Sequence, residues 1–151
     1  MTEAVVMSDT LLFHIARRVC VALALMGLGG CGGGTTKIEG TAVRGKVVYK
    51  GKGNVAQLAN GMVRLRSDAD PNLVIMGWIE EDGTFALGAS APGKSPGGVP
   101  VGRYKARVEP PLDDEGRPRR VVHPKFMDFD KSGLTVSVPP PGEVTLVVER
   151  P

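Results

Sequence analysis

Beyond residue 30 no ten-residue stretch holds a helical period, and glycine and proline interrupt the chain at short intervals. Glycine supplies the positive φ of tight turns, and proline removes a donor that a helix interior needs. With 21 Gly, 12 Pro and only 5% aromatic residues, the chain suits short strands joined by many turns. Alternation supports this reading. Val43, Val47 and Tyr49 fall on one parity and Arg44, Lys46 and Lys50 on the other, the pattern of a half-buried strand. Val63 and Leu65 alternate with Arg64 and Arg66, and Tyr104, Ala106 and Val108 with Arg103, Lys105 and Arg107. Residues 73–79 are almost continuously apolar and lead through Asp82-Gly83, a hairpin turn signal, into residues 84–87. Residues 134–138 and 144–148 complete seven strands, and residues 51–61, 88–98 and 110–120 read as loops. The expected architecture is all-β: a seven-stranded antiparallel Greek-key β-sandwich.

The first thirty residues read differently. Arg17 and Arg18 precede the apolar run of residues 19–28, which is followed by Gly29, Gly30 and Cys31, the order of a secretory signal. The run is about half of the roughly 20 apolar residues that a membrane-spanning helix needs. The string Leu28-Gly29-Gly30-Cys31 resembles a bacterial lipobox. That resemblance implies cleavage between Gly30 and Cys31 and lipidation of Cys31. Cys20 would leave with the signal, so the mature chain would keep one, acylated cysteine and no internal disulfide. The domain organisation expected is a signal peptide over residues 1–30, a lipidated Gly/Thr-rich tether over 31–42 with an end-to-end distance on the order of 20 Å, and the β-sandwich over 43–151. The protein is accordingly expected on a cell membrane or outer membrane, facing periplasm or exterior.

Four blocks in order carry a family resemblance: residues 43–52 (VRGKVVYKGK), 81–87 (EDGTFAL), 97–110 (GGVPVGRYKARVEP) and 123–138 (HPKFMDFDKSGLTVSV). Together they resemble small bacterial lipoproteins with a carboxypeptidase-regulatory-like, transthyretin-like (prealbumin-like) domain. The resemblance implies a prealbumin-like sandwich without an established activity, and marks Pro100, Gly102 and Tyr104 as the approach to a core strand. The hydrolase branch of that fold uses several histidines and a Tyr-Arg-Gly-Ser ending, whereas this chain ends Val-Glu-Arg-Pro and retains only His123 beyond the signal.

Candidate chemistry is sparse. One histidine without cysteine partners builds no typical transition-metal site. The acids cluster as Asp68 and Asp70, Glu80 to Asp82, Asp113 to Glu115, and Asp128 and Asp130, without the spacing of a calcium loop. Asp68, Asp70, Asp128 and Asp130 are the most plausible oxygens were calcium bound. Ser67, Ser90, Ser95, Ser132 and Ser137 lack a nucleophile-elbow context. No catalytic residue, metal or cofactor is assigned. The sole tryptophan, Trp78, sits in the most apolar strand and is expected in the core. Cations, in contrast, segregate to outward strand positions. Arg44, Lys46, Arg64, Arg66, Arg103, Lys105 and Arg107 would form a basic plate if their strands share a face, able to attract an anionic polysaccharide or an acidic envelope protein. A net charge of +3 is too mild for a dedicated nucleic-acid binder. The expected function is a non-enzymatic, membrane-anchored structural, adhesion or binding module. The alternative is an anionic-glycan or acidic-protein binder using the basic plate, and a hydrolase comes last.

Overall fold

A computed structural model describes residues 36–151. The expected signal segment and Cys31 lie outside the described residues. Seven strands follow in chain order: β1 (Val43–Tyr49), β2 (Met62–Ser67), β3 (Val74–Trp78), β4 (Thr84–Ser90), β5 (Gly102–Glu109), β6 (Leu134–Val138) and β7 (Val144–Val148). Two 3-10 turns, Val55–Leu58 and Pro124–Met127, lie in the connections, and no α-helix occurs among the described residues. The strands form one sheet in the order β6-β5-β2-β3-β4-β1-β7. Its two edge strands approach each other, so the sheet curls almost into a barrel.

Period-2 alternation fills this curl. Val43, Val47 and Tyr49 of β1, Val63 and Leu65 of β2, Tyr104, Ala106 and Val108 of β5, and Leu146 and Val148 of β7 all point into one core. Burying each larger apolar side chain contributes roughly 1.5–3 kcal/mol. The two buried tyrosines satisfy their hydroxyls on backbone: Tyr104 Oη donates to the Pro100 carbonyl and Tyr49 Oη to the Val121 carbonyl, each at 2.8 Å. Burial pushes both phenols above their usual pKa.

Pairing is not antiparallel throughout, as the sequence reading expected. β1 and β7 run parallel, Gly45 opposite Val144 through Tyr49 opposite Val148. The connection after β6 contains Pro139, Pro140 and Pro141, which have no N–H to continue a ladder. Instead of returning as a hairpin beside β6, the chain crosses to the other edge of the sheet. β4 also differs from expectation, continuing to Ser90 instead of ending at Leu87. Its first half pairs with β1 and its last three residues with β3, so it turns the corner between the two parts of the sheet. Gly77 lies where a side-chain carbon would collide with the Ala86 backbone, which is why β3 carries glycine at this corner.

Part of the stretch expected as tether is also placed. The Ile38 N–H donates to Ser95 O at 3.1 Å, Thr41 and Val99 exchange backbone hydrogen bonds, and the Ile38 side chain is buried.

The register sorts the loops into two ends. Ser67, Val74, Ser90, Gly102 and Val138 share one end of the sheet, while Met62, Trp78, Glu109 and Leu134 share the other. The chain enters at the first end, where Thr41 meets Val99 just before β5. The 50–61 connection, the β3–β4 turn and the long 110–133 connection gather at the second, far end.

Candidate binding cleft and basic face

At the far end, Met62 stands opposite both Trp78 and Glu109, which places three side chains in one row on the outer face. Beside this row a cleft of about 350 Å³ opens, lined among others by Met62, Trp78, Leu112, Pro118 and Met127, with Arg107 and Glu109 supplying its charged part. Trp78, expected in the core, is 60% exposed and Leu112 is 62% exposed. The cause is the strand's own alternation. Ile75 and Gly77 face inward, so Val74, Met76 and Trp78 face outward, and apolar residues on both parities hid the period in the sequence.

The cleft has unlike flanks. On the β4 side lies the turn Glu80-Glu81-Asp82, all exposed. Asp82 accepts hydrogen bonds from Thr84 Oγ1 at 2.6 Å and Thr84 N–H at 2.9 Å, which hold its carboxyl below the usual range. On the β5 side lies the 110–120 loop, closed by a bridge between Leu112 and Pro118. Asp113 accepts the Arg117 N–H at 2.8 Å and is held low by it. Arg117 also pairs with Asp113 and Glu115, whereas the exposed Arg119 and Arg120 meet no carboxylate among the described residues.

The basic residues are brought together only in part. Arg64 stands opposite Arg107 and Arg66 opposite Lys105 across β2 and β5. Like charges directly opposite each other destabilise a sheet unless countered. Here two acids counter them. Glu109 pairs with Arg64 at 3.3 Å and with Arg107, and Asp130 meets both Arg66 and Lys105 at 2.7 Å. Phe129 lies over the same cations, 4.9 Å from the Arg66 guanidinium and 4.7 Å from that of Arg107, an attractive cation–π geometry. The Lys105 and Arg66 hydrogen bonds bring the Asp130 carboxyl down to about 2. Beneath this cover Arg107 Nε is buried without an acceptor. Arg103 lies apart at the opposite end of β5, and Arg44 and Lys46 are on β1, beyond β3 and β4 in the sheet order.

The remaining candidates have local roles. His123 caps the second 3-10 turn: its Nδ1 accepts the Lys125 N–H at 3.2 Å, and its backbone N–H donates to Glu149 O at 2.8 Å. Ser132 is buried, donating its hydroxyl to the Ala106 carbonyl at 2.6 Å and accepting the Leu134 N–H. Asp128 accepts the Asp130 N–H at 2.8 Å, and Asp70 accepts that of Asn72 at 3.0 Å. Among the described residues no group of three or more His, Cys, Asp or Glu is placed to hold a metal.

Sequence reasoning missed Glu109, Phe129 and Asp130 as partners of the cations, and the cleft altogether. Glu109 was within reach, since it continues the parity of Arg103, Lys105 and Arg107. Asp130 acts from across the long connection, and no local pattern marks it. Compared with known protein families and with curated proteins, the sequence matches none.

Proposed function

We propose that this chain is a lipid-anchored cell-envelope protein whose β-domain is a non-catalytic binding module, displaying its cleft away from the membrane that holds Cys31. The observation that carries the reading is the opposition of the two ends. The chain enters beside Val99, and Trp78 with its cleft lies at the far end of the same strands. Six residues separate Cys31 from the buried Ile38, a span of at most about 25 Å including both links. An anchor at Cys31 would therefore keep the near end close to the bilayer and direct the far end outward.

Two acyl chains with a third on the amine exceed the two-signal threshold for stable attachment. The finer fold reading, a transthyretin-like Greek-key sandwich, belongs to this proposal. The switch of β4 between β1 and β3 supports it by setting β4-β1-β7 against β3-β2-β5-β6 across the core. Intact-mass analysis of protein from its native membrane tests the anchor. A mass of residues 31–151 plus acyl chains is expected. Unacylated protein retaining the residues before Cys31 would overturn the reading.

A further inference from the structure

Passing across β5, β2, β3 and β4 at the far end, the surface changes from a loop whose unpaired charges are Arg119 and Arg120 against the single acid Asp114, through exposed apolar side chains, to the acidic Glu80-Glu81 turn. A ligand of one sign would satisfy only one flank of such a surface. A second copy turned by a two-fold axis through the middle satisfies both at once, because Arg119 and Arg120 of each copy then meet Glu80 and Glu81 of the other. Apolar surface at the centre and charges at the rim is also the usual layout of a protein interface, with tryptophan and arginine the side chains that most often dominate its energy. We propose that the cleft is an isologous contact between two copies of this chain, with Trp78 of each seated against Leu112 of the other. The inference rests on the cleft being the binding surface of the domain and is independent of the lipid anchor.

The test uses the full chain in nonionic detergent, diluted below one chain per micelle, with a photo-crosslinking amino acid at position 112. Over the micromolar range the expected product has twice the chain mass, grows with concentration, and joins position 112 to the peptide that contains Trp78. Glu80→Arg with Glu81→Arg, or Arg119→Glu with Arg120→Glu, is expected to weaken self-association by about tenfold or more, since like charges then face each other. All four changes together restore it, which also excludes misfolding as the cause of the loss. Monomer throughout, or an adduct joining position 112 to another region, overturns the proposal. An adduct with a different envelope component in native membranes, from a chain that is monomeric when purified, overturns the second copy while leaving the cleft as a binding surface.

Discussion

Asp130 shows how one side chain changes the meaning of a whole face. Two cross-strand pairs of cations would repel each other, and this carboxylate, exposed at the surface, sits between Arg66 and Lys105. Its pKa of about 2 lies below the roughly 3.9 of an unfolded aspartate, held there first by Lys105 and then by Arg66. A depressed folded pKa means stability that is fully present above about pH 4 and lost as pH falls through about 2. Asp130→Asn is therefore expected to lower the thermal midpoint near neutrality, with the gap to the parent closing toward about pH 2. A gap of equal size at both ends of that range would remove the ion pairs as its cause. Asp82, Asp113 and Glu149 are also held low, so the variant keeps part of the acid sensitivity. Ser132 makes a complementary case, with burial in place of charge. Ser132→Ala leaves the Leu134 N–H and one Ala106 carbonyl position without their hydroxyl, and is expected to cost about 1–3 kcal/mol in urea unfolding.

At the scale of elements, what could be read in advance depended on whether one face of a strand was polar. β1, β2 and β5 were legible because cations alternate with buried valine, leucine and tyrosine, and the β3–β4 turn ends in Asp82-Gly83, where Gly83 has φ of 82°. β3 was legible as a strand but not in orientation, since its outward Trp78 and Met76 look like core. The parallel seam between β1 and β7 was not legible at all, because it pairs the first strand with the last and no local pattern links segments so far apart in the chain. Gly45 marks that seam: a methyl group there would collide with the Val144 carbonyl and stand 2.6 Å from the Phe85 ring. Gly45→Ala is expected to destabilise by about 1–3 kcal/mol or more through overpacking. Gly88, also within a strand, is the control, since a methyl group there would meet nothing nearer than 3.9 Å. Gly88→Ala should be neutral or mildly stabilising, and comparable losses at both positions would show that strand glycine, not the seam, is what matters.

For the molecule as a whole, the proposed anchor at Cys31 would set opposite demands on the two ends of the sheet. β5 alone, with 8 residues, separates them by about 25 Å, close to the thickness of the hydrocarbon core of a bilayer. Aromatic side chains favour the membrane interface, so in the proposed lipid-anchored form an exposed tryptophan near the anchor would be a membrane contact. The register argues against that, because Trp78 is at the far end while the exposed Val101 lies beside the segment through which the chain enters. Trp78 is the only tryptophan in the chain, so its fluorescence reports this one place without ambiguity. In vesicles carrying the acylated protein, acrylamide in the aqueous phase is expected to quench the emission strongly, and brominated acyl chains in the bilayer to leave it nearly unchanged. Strong quenching by the brominated lipid with weak quenching by acrylamide would put the cleft on the bilayer and reverse the proposed orientation. Charge supplies an independent check, because a cleft resting on anionic headgroups would hold Glu80 and Glu81 against like charge while drawing in Arg119 and Arg120. Only the outward orientation leaves both flanks in water, where each can meet its opposite.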